Sequence, residues 1–470
     1  MNPIALPDEV SVVNVGLPLF ADAVAAQGRP VVQVDWRIPA GGDPVALDAL
    51  RRLSGPLTGP IDEANAEVLR RLDTGVPTLT DVRPASEVVP GLQGRVLLHA
   101  GPAMELADAG DPLRRSMRAA VVAEGWAADV EAADALLASG SVALRPANES
   151  GGVVPMATVM GPTTPVWVVE LAAGGVASWA PLGQGSGDVA WFGRDTPGAI
   201  DRLVLLREAV APLLAETLRH SGPVEVLAFA AQGVAMGDDV HVRTQASTNL
   251  LIKHLLPSLM ASADPRRVEV GRYLSSNHLL FLTLAMAAAR ALTGWAGQVE
   301  GSSVVTTMAR NGTEFGTRLS GNDEWFLAPA PMVGNALYHP GRGDDDAAPD
   351  IGDSAVLELI GLGGAAAAGS PAVGQLVGGL AAAGELTAEL ERICVGRSSR
   401  FTLPTLGGRG TPLAVDVRRV VEHGITPKVT TGILDNRQGT GQVGAGVAAA
   451  PLACFRDALL DLDARLARGR

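Results

Sequence analysis

The hexapeptide Asp238-Asp-Val-His-Val-Arg243 places two carboxylates, an imidazole and a guanidinium closer together than any other window of the chain. Three chemistries suit that spacing. Gly237 followed by two acids is a helix N-terminal signature, in which carboxylates accept orphan amides and negative charge is favoured. Asp238 and Asp239 could instead serve a divalent ion of the Mg²⁺ type, which needs only one or two carboxylates beside substrate oxygens. His241 would share a helical face with Asp238, although no second His/carboxylate cluster follows. Finally, His241 and Arg243 could hold an anion at the helix start.

Other stretches carry anion-friendly groups. Arg310-Asn311-Gly312 lies between two β-like runs, so Arg310 and Asn311 are expected at a hairpin tip, as a solvated turn or as donors to a carboxylate or phosphate. Asp353-Ser354 opens a helical stretch as a cap or as a set of free amides. Gly361-Leu-Gly363-Gly364 would let a backbone or a ligand approach closely. It is neither a Walker loop nor a dinucleotide fingerprint. Gly439-Thr-Gly441-Gln442-Val-Gly-Ala-Gly446 could cradle phosphate or be a turn beside a strand. His99 ends a strand, where α/β sites commonly form; a single such His is more often structural. No GxSxG, HExxH or kinase motif occurs, and no nucleophile stands out.

Elements must position these groups, and composition bounds them. The chain has 470 residues, which implies two or three domains, and is 47% hydrophobic and 19% charged, as a globular protein is. Aromatics are only 4%, so Ala, Val and Leu must build the core. A net charge of −13 disfavours nucleic acid as a partner while allowing a local positive pocket for a small anion. Cys394 and Cys454 lack CxxC spacing, which argues against a disulfide scaffold or structural zinc. The start MNPIALPDEV reads as no secretory signal. Gly361–Gly384 is charge-free but Gly/Ala-rich and interrupted by Pro371, so it reads as core packing and not a membrane span. The expected location is cytoplasmic.

Periodicity predicts a β-α-β unit from Ser11–Val15, Leu19–Gln27 and Val31–Asp35, then a capped helix from Asp43 to Leu53 and a linker over Ser54–Pro60. A helix over Asp62–Asp73, a strand at Arg95–His99, helices at Pro112–Glu124 and Asp129–Ser139 and a strand at Val166–Glu170 follow. Ile200–His220 has helical periodicity, and Asp238–Ala291 is helical nearly throughout. Strands at Ser303–Met308, Glu314–Arg318 and Glu324–Pro329 precede helices over Asp353–Ala368 and Gln375–Gly396. The expected fold is α/β to α+β and multi-domain. Its divisions are an N-terminal β-α-β unit over 1–57, an α/β core over 58–235 and 301–470, and a helical subdomain over 236–300.

Several blocks together resemble the YlbE/AllG family. They are Val96-Leu-Leu-His-Ala-Gly-Pro-Ala-Met104, Ala231-Gln-Gly-Val-Ala-Met-Gly-Asp-Asp-Val-His241, Arg310-Asn-Gly-Thr-Glu-Phe-Gly316, Pro349-Asp-Ile-Gly-Asp-Ser354, Val415-Asp-Val-Arg-Arg-Val-Val-Glu422 and Gly444-Ala-Gly followed by Ala450-Pro-Leu-Ala-Cys-Phe455. Asn14-Val-Gly-Leu and Val34-Asp-Trp-Arg-x-Pro-Ala-Gly-Gly42 resemble the N-terminal unit of its longer members. The resemblance implies a subunit of oxamate carbamoyltransferase in allantoin degradation, a branch of purine catabolism, handling oxalurate, oxamate and carbamoyl phosphate. It implies companion subunits, one similar to succinyl-CoA synthetase. Further copies of the chain are also conceivable partners. No catalytic residue is carried over from the family, and no cofactor is expected, an Mg²⁺-type ion being the one candidate. The block's preserved polar pattern favours a site role for Asp238, Asp239 and His241. A non-catalytic scaffold subunit and an acyl-phosphate-dependent amide ligase are the alternatives. Three blocks depart from the family pattern: Val242-Arg243-Thr244-Gln245 where Arg-Asn is usual, Val154-Pro-Met-Ala-Thr158, and Gly432-Ile-Leu-Asp435-Asn436 where a His-Lys pair is usual.

Overall fold

The computed structural model describes residues 11–34 and 38–468. The N-terminal unit forms as read: strands Val12–Val15 and Val31–Val34 pair in parallel around helix Pro18–Ala25. The last residue of the second predicted strand, Asp35, lies outside the described residues. The Asp43 carboxylate accepts the amides of Val45 and Ala46 and so caps helix Pro44–Leu53. The expected linker is shorter than read, because the next helix starts at Thr58 and runs to Thr74.

A mixed α+β architecture follows. Val96–His99 and Ala143–Pro146 pair in parallel, connected through helices Asp111–Ala123 and Val130–Ala138. A four-stranded antiparallel sheet has the order Val176–Pro181, Pro165–Leu171, Thr78–Pro84, Val224–Glu225. Against it lies helix Leu280–Ala296, almost wholly buried. Its run Ala287-Ala-Ala289 lets neighbouring elements approach closely, and Trp167, Phe281 and Met286 fill the same core. Helices Gln245–Ala261 and Arg267–Ser276 add to that core through Leu251, Leu255, Tyr273 and Leu274.

A second four-stranded sheet has the order Phe326–Pro329, Glu314–Leu319, Val305–Asn311, Ile351–Gly352. The predicted hairpin is its centre, with Phe315 opposite Arg310. A three-stranded sheet of Gly334–Tyr338, Gln442–Ala449 and Lys428–Leu434 stands beside it. Helix Leu452–Arg468 closes a second apolar core containing Phe315, Ile393, Val429 and Phe455.

Two expectations about helices need correction. Residues 238–244 are loop, and the helix begins only at Gln245. The stretch from Ser354 is two short 3₁₀ helices, Ser354–Ile360 and Gly363–Gly369, because Gly361 turns left-handed (φ 86°) between them. Among the described residues no single helix is long and apolar enough to cross a membrane. One consecutive pair, Arg267–Ser276 and Leu280–Ala296, passes on length and composition, but it bends by 79° and its second helix is core.

Candidate functional site

A cavity of about 430 Å³ opens where several distant parts of the chain meet. His241 and Arg243 come from the loop before helix Gln245–Ala261, Gln245 from its first position and Ser354 from the first 3₁₀ helix. Thr431, Gly432 and Gln442 come from two adjacent strands, and Met156 and His278 from loops. Leu279, Leu282, Val373 and Leu376 supply an apolar wall.

The opening hexapeptide divides its labour. Asp238 is fully buried and its carboxylate accepts the amides of Ala246 and Ser247 and the Ser247 hydroxyl. It therefore caps the following helix, but from a loop and not from the N-cap position. Asp239, also fully buried, accepts the amides of His241 and Arg243 and the Thr430 hydroxyl, which folds the loop around itself. Burial raises its pKa, and the neighbouring His241 and the two backbone amides oppose the rise. Neither carboxylate lines the cavity. As an Mg²⁺ site the pair does not fit: both acids face protein donors, and no three His, Cys, Asp or Glu side chains gather for a metal among the described residues. Between them and His241, Val240 is held at φ 61°, a strained conformation for a β-branched residue. Met156, on the cavity wall, is also left-handed (φ 48°). Such outliers persist only where the surroundings over-determine them, and functional sites are their usual place.

What remains of the hexapeptide faces the cavity. His241 Nδ1 lies 3.0 Å from Glu358 Oε1, both side chains being buried. Its Nε2 has no hydrogen-bond partner among the described residues, and the ring lines the cavity. Glu358 accepts the Thr430 amide at 3.1 Å and the Gly364 amide at 2.6 Å. Burial pushes Glu358 up to about 8 and His241 down to about 4. At neutral pH the pair is therefore uncharged. The carboxyl donates to Nδ1, and Nε2–H points outward. Above about pH 8 the carboxylate takes its hydrogen bond from Nδ1–H, and Nε2 becomes a lone pair. One imidazole thus presents an acid or a base to the cavity.

Arg243 is the cation of the wall. Its guanidinium makes only a loose contact with Asp238, at 3.6 Å, and donates no hydrogen bond among the described residues. The Ser354 hydroxyl likewise has no partner among the described residues and lines the cavity. Gln442 donates to the Gly444 carbonyl at 3.1 Å, which leaves its amide oxygen available.

The other predicted groups lie elsewhere. Arg310 is not at a solvated tip. It is fully buried, with Nε and Nη2 on the two oxygens of Asp350 at 2.8 and 3.0 Å. Asn311 forms the turn itself, its side chain accepting the amides of Thr313 and Glu314 and donating to the Pro102 carbonyl. Asp353 offers no free amide cradle; its carboxylate accepts from Gly101, Asn148 and Val154. Burial raises that carboxyl to about 7 against these donors. Gly363 and Gly364 wrap Glu358: a Cβ at Gly363 would come within 2.1 Å of Glu358 Oε1. The close approach is real, but to a side chain of the protein. Gly441 is left-handed (φ 99°) and packs against Phe192 and Arg194, off the cavity. The amides of its loop are taken by Asp435, which accepts from Arg437, Gln438 and Thr440. His99 is buried outside the cavity with Nδ1 near the Ala100 carbonyl and Nε2 unpartnered; burial lowers its pKa.

Glu358 and His278 escaped sequence reasoning. Glu358 had a legible signal, being the lone charge in the apolar run Ala355–Ala368. His278 had none, because it enters the wall through a loop between two helices.

Residues 142–354 match the family described as oxamate carbamoyltransferase subunit AllG. The chain is 37% identical to the protein of that name from Escherichia coli K12 over 85% of its own length and 97% of the relative's. It is 34% identical to the uncharacterized protein YahG of the same organism, over 96% of each. A crystal structure of a conserved protein of unknown function from Enterococcus faecalis V583 superposes with a TM-score of 0.84 at 32% identity, covering 87% of this chain and 99% of that one. This chain therefore belongs to the AllG family.

Proposed function

We propose that this chain is a transferase subunit that moves a carbamoyl group between phosphate and a small 2-oxo acid amide of the oxamate type. It works in the cytoplasm beside companion subunits, one of them resembling succinyl-CoA synthetase. The observation that carries the reading is the Glu358–His241 pair, 3.0 Å apart, set into a cavity wall that also holds Arg243 and Ser354. The chemistry needs positioning, oxyanion donors and one proton relay, and no protein nucleophile.

In the synthetic direction the amide nitrogen attacks the carbamoyl carbon. The N–C bond forms, the C–O bond to phosphate breaks, and the proton leaving nitrogen goes to His241 Nε2. Nδ1 then returns its proton to Glu358, and the departing phosphate finally takes one proton from the pair. Phosphorolysis runs the same steps backwards, with Nε2–H protonating the leaving nitrogen. Arg243 receives the carboxylate or phosphate oxygens, and the Ser354 hydroxyl donates to the carbamoyl oxygen as charge builds on it. No step passes through a metal.

The test is carbamoyl transfer from carbamoyl phosphate to oxamate by wild-type, His241→Ala and Glu358→Gln chains, each alone and with companion subunits. Loss of transfer in both variants, with wild-type melting behaviour, supports the reading. Full activity in both would make this chain a scaffold whose companions carry the chemistry.

A further inference from the structure

A second cavity, of about 380 Å³, lies at the other end of helix Leu280–Ala296 and shares no residue with the first. Leu282 lines one and Thr293 the other, eleven positions apart on that helix, or roughly 16 Å at helical rise. Arg290 and Arg318 both line it.

The two arginines are short of partners. Nε of each is sealed from solvent without a hydrogen bond. Arg290 has no carboxylate within ion-pairing distance among the described residues, and its one side-chain hydrogen bond goes to the Asn148 carbonyl at 3.2 Å. Arg318 reaches Glu149 at 3.0 Å through Nη2 and stacks over Trp325 at 4.0 Å. No partner takes Nη1 of either guanidinium among the described residues. Thr306, Thr307 and Gln298 add polar lining, and the Thr306 hydroxyl has no partner among the described residues. Gly294 keeps the space clear, since a Cβ there would stand 3.0 Å from Arg290 Nη1. Exposed Glu300 and Asp323 stand at the edge without pairing with either arginine. Burial and the nearby Arg318 charge lower the Arg290 pKa, against the pull of the Asp353 and Asp323 carboxylates. A guanidinium without a full set of partners keeps donors unspent, and two fixed forks around one cavity match the oxygens of a tetrahedral anion.

We propose that Arg290 and Arg318 form a second binding site, for a small phosphate group either free or at the end of a small ester. Glu300 and Asp323 bias it toward ligands whose far end carries N–H or O–H donors. Nothing in this site depends on the carbamoyl-transfer reading.

Calorimetric titration decides it, with Arg243→Gln as the background so that anion binding at the first cavity is weakened. Inorganic phosphate, glycerol 1-phosphate and malonate are titrated separately into Arg243→Gln, Arg243→Gln/Arg290→Gln and Arg243→Gln/Arg318→Gln. Phosphate should bind the background protein and quench or shift Trp325 emission, and either added substitution should weaken binding at least tenfold. The better of the two phosphate probes identifies the source. Should Arg290→Gln fail to fold, Arg318→Gln decides alone, since that side chain lies partly on the surface. No phosphate binding to the folded background protein, binding unchanged by Arg318→Gln, or malonate bound as tightly as phosphate would overturn the assignment.

Discussion

Arg310 and Arg243 look interchangeable in the sequence, each a lone guanidinium near a turn, yet the fold uses them oppositely. Arg310 is sealed and forked onto Asp350, whose Oδ1 also accepts the Thr431 hydroxyl. Arg243 stands half-exposed at a cavity wall with one loose contact. The first charge is saturated by the protein and fixes the strands beneath the cavity. The second keeps its donors unspent and so can answer a ligand. The largest expected effect follows from that contrast. Arg310→Met leaves Asp350 buried without a counter-charge, and breaking such a pair costs about 3–5 kcal/mol. Urea unfolding should show that loss for Arg310→Met and almost none for Arg243→Gln. Equal midpoints for the two variants would erase the distinction.

The relay pair should give the next largest effect. Removing a positioned acid–base group costs roughly 10²–10⁴ in rate, so His241→Ala should lose that much turnover while melting like wild type. The pH dependence has a fixed sign. Glu358 is raised to about 8, so the acid form of the pair dominates below that pH and the base form above it. Phosphorolysis should therefore slow as pH rises through about 8, and carbamoylation should speed up. Glu358→Gln cannot ionise and should flatten both profiles. A profile unchanged in Glu358→Gln would assign the titration to another group.

Most of the elements were legible because period and punctuation are local properties. The β-α-β unit, the Asp43 cap and the hairpin around Asn311-Gly312 each rest on neighbours in sequence. The site was legible only in part, and for a definite reason. Asp238, Asp239, Asp353 and Asp435 all stand beside free amides, as an anion site would require, but the protein fills each nest with its own carboxylate. Sequence shows that donors and acids are near each other. It does not show that they satisfy one another, and that fact decides whether any donor is left for a ligand. His241, Arg243, Ser354 and Gln442 remain on the cavity because distant strands and loops converge there, which no local pattern encodes. The helix expected from Asp238 fails because the Asp239 carboxylate accepts the amides of His241 and Arg243 and curls the loop on itself.

Arg243 itself should show a smaller effect, on binding more than on turnover. With only a 3.6 Å contact to Asp238, its removal leaves no tight pair broken. A charge-assisted hydrogen bond contributes about 1.5–3 kcal/mol, so Arg243→Gln should raise the KM for the anionic substrate roughly tenfold to a hundredfold. Arg243→Lys should recover little of it, because an ammonium cannot fork onto two oxygens. Kinetics at saturating substrate separate the cases: a fall in kcat with KM unchanged would place Arg243 in the chemical step instead.

The smallest effect is expected at Asp435, in the turn that precedes Gln442. Asp435 accepts the amides of Arg437, Gln438 and Thr440 and also bonds the Thr440 hydroxyl, and Arg342 stands 3.7 Å away. These donors hold its pKa below the usual range although burial opposes them. Asp435→Asn keeps the shape but swaps one acceptor oxygen for an NH₂ that faces N–H donors. The turn should loosen by about 1–2 kcal/mol, the ordinary cost of an unsatisfied buried donor. Because Gln442 follows the turn, substrate affinity should fall only a few-fold, with turnover intact. Hydrogen exchange over residues 436–442 measures the loosening directly. Faster exchange there with unchanged exchange at 239–243 would keep the two loops independent. Acceleration in both would mean that the Gly-rich turn and the His241 loop open as one unit, and that the cavity is gated from the Asp435 side.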